Sequence, residues 1–244
     1  MWGADSLIYG YLLEDTKYQT PIFHLSSGVD GPTVLILGGT HGNEPAGFEA
    51  AHRLLKQFTI SGLKKGNIFI IPEANKIADL TNKRRIPVPK GVDREVGNLN
   101  RCYPGDSTGL PMQRAAFQIT RLMREKGVDL LFDLHESPVF HLETLDKDTQ
   151  QYHGLGQTLI YTPNEEATWL GMVAVDYLNS SIPPGIKQFS LAERPILHSA
   201  AWNAGKTFGI PGFTVETCKK LDLEERVYYQ KEVVNVILKE MGMI

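Results

Sequence analysis

The segment Gly38-Gly39-Thr40-His41-Gly42-Asn43-Glu44-Pro45 follows a short apolar, β-branched run, Thr33–Leu37. An imidazole and a carboxylate three positions apart therefore stand at the carboxyl end of a buried strand, where open α/β sheets place their ligands. If the chain turns tightly, His41 and Glu44 can converge on one metal ion, and the flanking glycines supply that freedom. The competing reading is a plain helix start, with Asn43 as cap, Pro45 in the first turn and Glu44 favoured by the helix dipole. A second apolar run, residues 128–134, leads into Asp133-Leu134-His135-Glu136-Ser137. His135 is then either a satisfied imidazole at a strand end or the third member of a set with His41 and Glu44. Two histidines and one glutamate make a catalytic zinc set, because three protein ligands leave one coordination position open for water. Cys102 and Cys218 are not in ligand spacing.

Three further features bear on the same chemistry. Ile210-Pro211-Gly212-Phe213-Thr214-Val215-Glu216 puts a carboxylate at the end of another strand, where a general base would take a proton from water and hand it to a leaving nitrogen. Read alone, Glu216 is equally a solvent-facing acid ahead of a helix. Asn100 and Arg101, in a polar and turn-rich stretch, suit capture of a substrate carboxylate by a planar guanidinium beside an amide. Asn82-Lys83-Arg84-Arg85 has the composition of a solvated basic turn. His24, His52, His141, His153 and His198 have no strand-end partner and read as surface or satisfied histidines. No G-x-S-x-G elbow and no phosphate-binding G-x-x-x-x-G-K-[ST] loop occurs.

These residues need a scaffold, and the chain supplies the pattern for one. Strands are expected at residues 33–37, 67–71, 128–134, 159–161 and 212–215, with an opening antiparallel pair at 7–13 and 21–25. Amphipathic helices are expected at 45–58, 112–126 (stopped by Gly127), 165–178 and 224–241. Strands alternating with helices predict an α/β sheet covered on both faces. Stretches 75–110, 136–157 and 180–209 lack a clear period; irregular segments that long in a compact domain usually build a site. The 244 residues, 42% hydrophobic and 22% charged, suffice for one substantial core and a single domain over residues 1–244. A net charge of −3 gives no reason to expect nucleic acid. Two cysteines rule out a disulfide-stapled scaffold; a Cys102–Cys218 bridge is a minor alternative to two free thiols. No apolar run approaches membrane-spanning length and the start has no basic region ahead of an apolar stretch, so a soluble cytoplasmic protein is expected. A leader or anchor removed ahead of Met1 would leave no trace in this sequence.

Together, GGT-HGNE, the GNLNR-CYPG segment, DLHES and FTVE resemble the zinc carboxypeptidase superfamily, in its branch of succinylglutamate desuccinylase and aspartoacylase-like deacylases. The resemblance runs from residue 33 to residue 216. It implies a three-layer α/β/α sandwich with a mixed central sheet, and His41, Glu44 and His135 as ligands of one Zn²⁺ per chain. It also implies Glu216 as the base that activates metal-bound water, Asn100 and Arg101 as clamps for a substrate carboxylate, and Arg84 or Arg85 as the group that polarises the scissile carbonyl. The implied partner is a small molecule or short peptide with a free carboxylate. The implied activity is hydrolysis of an amide bond, first as deacylation of an N-acyl amino acid, alternatively as metallocarboxypeptidase or murein-peptide amidase action. A non-catalytic, metal-bearing domain that recognises carboxylate ends is the rival from another class. Two departures stand out. Asn98 replaces the aspartate that many relatives carry, so a hydrogen bond to a ligand imidazole would come from an amide oxygen. The residues after Glu216 suffice for a closing helix but not for the β-domain that narrows the site of larger relatives, so a more open cleft for larger substrates is expected.

Overall fold

The computed structural model describes residues 7–145 and 153–244. Its strands are β1 (Ile8–Leu12), β2 (Thr20–Ser26), β3 (Thr33–Leu37), β4 (Asn67–Ile71), β5 (Leu130–Ser137), β6 (Thr158–Tyr161), β7 (Ser190–Ala192) and β8 (Gly212–Cys218). Its helices are α1 (Pro45–Ser61), α2 (Lys76–Leu80), α3 (Pro111–Lys126), α4 (Glu165–Asn179), α5 (Ala200–Asn203) and α6 (Leu223–Glu240). The strands form one mixed sheet in the order β1-β2-β4-β3-β5-β8-β6-β7, parallel through β4-β3-β5-β8 and antiparallel at β1-β2, β2-β4 and β8-β6.

Residues alternate between the two faces of each strand, and both faces are covered. Val34, Ile36, Ile68, Ile70, Leu130, Phe132 and Leu134 pack with α1, α4 and α6. Leu35, Leu37, Phe69, Ile71 and Leu131 pack with α3, α5 and the loop side chains of the opposite layer. Burial on both sides is why β3 reads TVLIL with no polar position. The three-layer arrangement and mixed sheet expected from the sequence are thus present. No helix among the described residues is long and apolar enough to cross a membrane.

The chain leaves β3 through α1 on one face to reach β4, and arrives at β5 through α3 on the other, on the opposite side of β3. A crevice must open between the carboxyl ends of β3 and β5, because their connections diverge there. The loop after β3 is held flat in this crevice. A Cβ on Gly42 would lie 1.9 Å from the backbone of Ala78 in α2, so only glycine permits this approach. The Gly42 N–H donates to Lys83 O at 2.9 Å, which ties the loop to the segment carrying Arg84.

The structure departs from the sequence expectation in frame and in detail. β5 begins two residues later than expected and continues through His135, Glu136 and Ser137, which pair with Glu216, Thr217 and Cys218 of β8. The aperiodic stretches hold short elements: α2, β7, α5 with a π-helical extension at Ala204–Phe208, and two 3-10 turns at Arg94–Gly97 and Leu99–Arg101. None is long enough to declare a period. Residues 146–152 of the middle stretch lie outside the described residues.

Beneath the β3 loop, both carboxylate oxygens of Asp79 are sealed from solvent without a hydrogen-bond partner. Burial, with Glu73 adding to it, pushes the Asp79 carboxyl up to about 8. The folded state therefore keeps a proton that the unfolded chain releases near the ordinary aspartate value of 3.8. Stability attributable to this group falls as pH rises from about 4 to about 8 and is flat above. Asp79→Asn should remove that slope, leaving the variant more stable than the parent by about 2 kcal/mol at pH 8 and level with it near pH 4. Thermal melts of both proteins across that range check it; parallel pH profiles would show that Asp79 is ionised in the folded state.

Candidate metal centre

His41 and Glu44 come from the loop after β3, His135 from β5, and all three are buried. Glu44 is also the residue on which α1 starts, with Pro45 in the first turn, so the turn that begins the helix delivers the carboxylate. The helix-start reading is half right: Pro45 plays its expected part, but the cap position is Glu44 and not Asn43. One ligand atom from each of the three side chains falls within 4.8 Å of the others, a group able to hold a metal ion.

Each imidazole has its outer nitrogen committed. Asn98 Nδ2 donates to Glu95 Oε2 at 3.0 Å, and Asn98 Oδ1 accepts the Asn100 N–H at 3.1 Å, which fixes the amide. His41 Nε2 then donates to Asn98 Oδ1 at 2.9 Å, as the Asn98 substitution implied. His135 Nε2 lies 2.8 Å from Asp133 Oδ2 as an ion pair, and Thr40 Oγ1 donates to Asp133 Oδ1 at 2.7 Å. The two Nδ1 atoms are left facing one another at 3.1 Å, with Glu44 Oε1 at 3.0 Å from His41 Nδ1 and Glu44 Oε2 at 2.8 Å from His135 Nδ1. Three ligand atoms turned inward in this way need positive charge between them, and a second hydrogen bond on the far nitrogen is the usual support of a metal-binding histidine.

The electrostatics follow from this packing. For Glu44 burial acts upward, but His41 and His135 outweigh it and hold the carboxyl well below the usual range. For His135 burial acts downward, and Asp133 and Glu44 outweigh it, holding the imidazole well above its ordinary value. Burial lowers His41. Glu216, opposite His135 in the β5–β8 register, is raised to about 8 by burial, and its Oε2 has no hydrogen-bond partner. It is buried and not solvent-facing, on the sheet face opposite the core residues Phe213 and Val215, and the charged groups that act on it are His135, Glu44, Arg84 and Asp133.

The basic segment separates into two roles. Arg84 Nη1 donates to Glu44 Oε1 at 2.8 Å, whereas Arg85 Nη1 pairs with Glu95 Oε1 at 2.8 Å. The solvated-turn reading therefore fails for Arg84. Arg101 stands near both, its guanidinium lowered first by burial and then by Arg84. Asn100 is more enclosed than the clamp reading assumed: it is 2% exposed, its Oδ1 accepts the Ala200 N–H at 3.1 Å, and its Nδ2 lies 3.3 Å from His135 Nε2. Cys102 and Cys218 are free thiols, which overturns the minor disulfide reading; Cys218 lies in a small core with Phe140 and Leu221. His24, His52 and His198 stay outside the centre, bonded to Asn67, Glu73 and Tyr103. Sequence reasoning missed Asp133 and Thr40. Asp133 had a signal, since residues i and i+2 of a strand share a face.

Comparison with known proteins finds similarity in sequence and in fold. Residues 30–141 match the family description "Succinylglutamate desuccinylase/Aspartoacylase catalytic domain". A stretch of 106 residues, 43% of this chain and 29% of the relative, is 33% identical to an N-alpha-acetyl-L-2,4-diaminobutyric acid deacetylase of Halomonas elongata. Among solved structures, the cell shape determinant protein Csd4 of Helicobacter pylori superposes with a TM-score of 0.76 at 19% identity, over 92% of this chain and 55% of that one. An aspartoacylase family protein of Mesorhizobium loti does so with a TM-score of 0.68 at 24% identity, over 93% and 62%. The chain thus spans less than a third of the curated relative and little more than half of Csd4. Over residues 30–141, which include His41, Glu44, Arg84, Asn98, Arg101 and His135, it carries the catalytic-domain pattern of the succinylglutamate desuccinylase/aspartoacylase family.

Proposed function

We propose that this protein is a zinc-dependent hydrolase that cleaves an amide bond in a carboxylate-bearing substrate, of the N-acyl amino acid deacylase type. The observation that carries the proposal is the convergence of His41 Nδ1, His135 Nδ1 and the Glu44 carboxylate, with both outer nitrogens held and the unpartnered Glu216 carboxylate beside them. The donor set fits zinc: two imidazoles and one carboxylate, with no thiolate, is the composition of sites that keep a position open. When bound, zinc supplies Lewis acidity that polarises a carbonyl and acidifies water.

The protein's own groups do the rest. Glu216 accepts a proton from the attacking water and returns it to the leaving nitrogen, so that amide and water become acid and amine. Its burial keeps it a strong enough base for that transfer near neutral pH. Arg84 is about two-fifths exposed and reaches the edge of the centre through Glu44, which supports a role for its charge in stabilising the developing oxyanion. Arg101 offers a guanidinium to the substrate carboxylate, with Asn100 behind it as a wall beside His135. Two free thiols suit a reducing, cytoplasmic setting.

Metal analysis of the parent should find one equivalent of zinc, lost in His135→Ala. Glu216→Gln should keep the zinc and lower turnover of N-acyl amino acids by about 100- to 10,000-fold; unchanged turnover would remove Glu216 from the mechanism. Hydrolysis of short peptides with a free carboxylate, and not of N-acyl amino acids, would move the activity to the carboxypeptidase type. Bound zinc with no hydrolysis of either would favour the carboxylate-binding rival. The two arginines give a separate test. Arg84→Ala should cut kcat/KM by about 100-fold while Arg85→Ala changes it far less, and equal losses would void the distinction drawn from their partners.

A further inference from the structure

Behind the metal centre, on the side away from the cleft arginines, α6 sends two side chains one turn apart into the strand ends. Arg226 Nη1 pairs with Glu136 Oε1, a carboxylate with no solvent exposure. Glu136 Oε2 accepts the Ala46 N–H at 3.0 Å in the first turn of α1, a helix whose own cap residue, Glu44, makes no side-chain capping bond. The Glu136 N–H donates to Glu44 Oε2 at 3.1 Å. One turn on, Gln230 Nε2 donates to His135 O at 2.7 Å and to Thr217 Oγ1 at 2.9 Å. Gln230 is wholly buried, and its Oε1 has no partner. Arg226 Nε is likewise shielded and unpartnered.

Packing alone does not account for these residues. A buried carboxamide with a sealed, unbonded oxygen costs more than an apolar side chain of the same volume, and a buried ion pair is often no more stabilising than hydrophobic replacements. Their bonds do not go to the surrounding core. Both lead to metal-centre residues: Arg226 through Glu136 to Glu44 and the start of α1, Gln230 to the backbone of His135 itself. Neighbouring polar contacts of α6 behave differently; Asn235 Oδ1, for example, accepts from Gln57 Nε2 at 2.8 Å on α1, far along the helix from the ligands.

We infer that Arg226 and Gln230 are positioning residues for the metal, holding Glu44 and His135 from behind so that their ligand atoms converge before the ion arrives. The inference rests on the metal centre proposed above. Preorganisation of this kind shows in affinity: without it, part of the binding free energy goes into gathering the ligands.

The test is zinc affinity by competition with a chromogenic chelator, measured beside the thermal melting of the metal-free protein. Gln230→Met removes both amide bonds at nearly constant volume, and Arg226→Lys keeps the charge opposite Glu136 while losing the guanidinium geometry. Each should weaken zinc binding by about tenfold, the lower end of the range for partners one step behind the ligands. Asn235→Met serves as the structural control, shifting the melting temperature with no change in zinc affinity. Variants of Arg226 and Gln230 that bind zinc within twofold of the parent would overturn the inference and leave the metal centre intact, as would affinity that merely tracks melting temperature across all three. A parent that takes up no zinc would overturn the centre itself and this inference with it.

Discussion

The centre depends on a conflict that the fold imposes and cannot relieve alone. Two imidazoles, each with its Nε2 turned outward to Asn98 or Asp133, present Nδ1 to the same point that both oxygens of Glu44 approach. Inward lone pairs at such separations repel unless positive charge lies among them. The strand register enforces the meeting: Leu37 of β3 is level with Asp133 of β5, and His135 is level with Glu216 of β8. His135, its support Asp133 and the base therefore arrive on adjacent parallel strands, His41 and Glu44 follow from the end of the neighbouring β3, and Asn98 reaches His41 from the turn between the two 3-10 segments.

The charges around this point explain why it suits a divalent cation. Glu44, Asp133, Glu136 and Glu216 are all buried there, and the guanidinium partners within hydrogen-bonding reach are Arg84 for Glu44 and Arg226 for Glu136. That leaves Asp133 supported by His135 and Thr40, and Glu216 with an oxygen that has no hydrogen-bond partner. Carboxylates this enclosed either keep a proton or find a cation. Burial raises the Glu216 carboxyl so that it can hold the proton it takes up in turnover, while the Glu44 set is shaped for the second. The same enclosure that makes the ligand set demand a cation thus keeps the neighbouring acid basic enough to move protons.

Much of this was legible in the sequence because it lay on long, well-patterned elements. TVLIL, NIFII and the four long helices α1, α3, α4 and α6 declare a sheet covered on both faces, and His41, Glu44 and His135 stand at the ends of its strands. The frame of β5 was less legible: His135, Glu136 and Ser137 are polar, so the apolar run stops before the strand does, and only pairing with β8 continues it. Arg84 and Arg85 could not be told apart, since they lie in a segment with no period, and only the folded path of that segment, tied to the β3 loop by the Gly42 to Lys83 backbone bond, brings Arg84 to Glu44. Arg226 and Gln230 were invisible for a different reason. On an amphipathic helix they look like solvent-face residues, and which polar positions turn inward depends on how deeply α6 seats against β5 and β8.

The two histidines are not equivalent, and the difference has a local cause. His135 leans on a carboxylate, Asp133, which raises its basicity directly. His41 leans on a neutral amide, but that amide is polarised in turn by Glu95 through its Nδ2, and Glu95 is anchored by Arg85. An aspartate at position 98 would bring a second carboxylate to within about the 3.0 Å that now separates Asn98 Nδ2 from Glu95 Oε2. Like charges at that distance cannot both stay ionised. Asparagine is therefore the residue compatible with Glu95, and the negative charge that would otherwise sit against His41 stands one hydrogen bond further out. There it also faces Arg85 and Arg101, so the support of one ligand and the charge of the cleft are balanced by the same carboxylate.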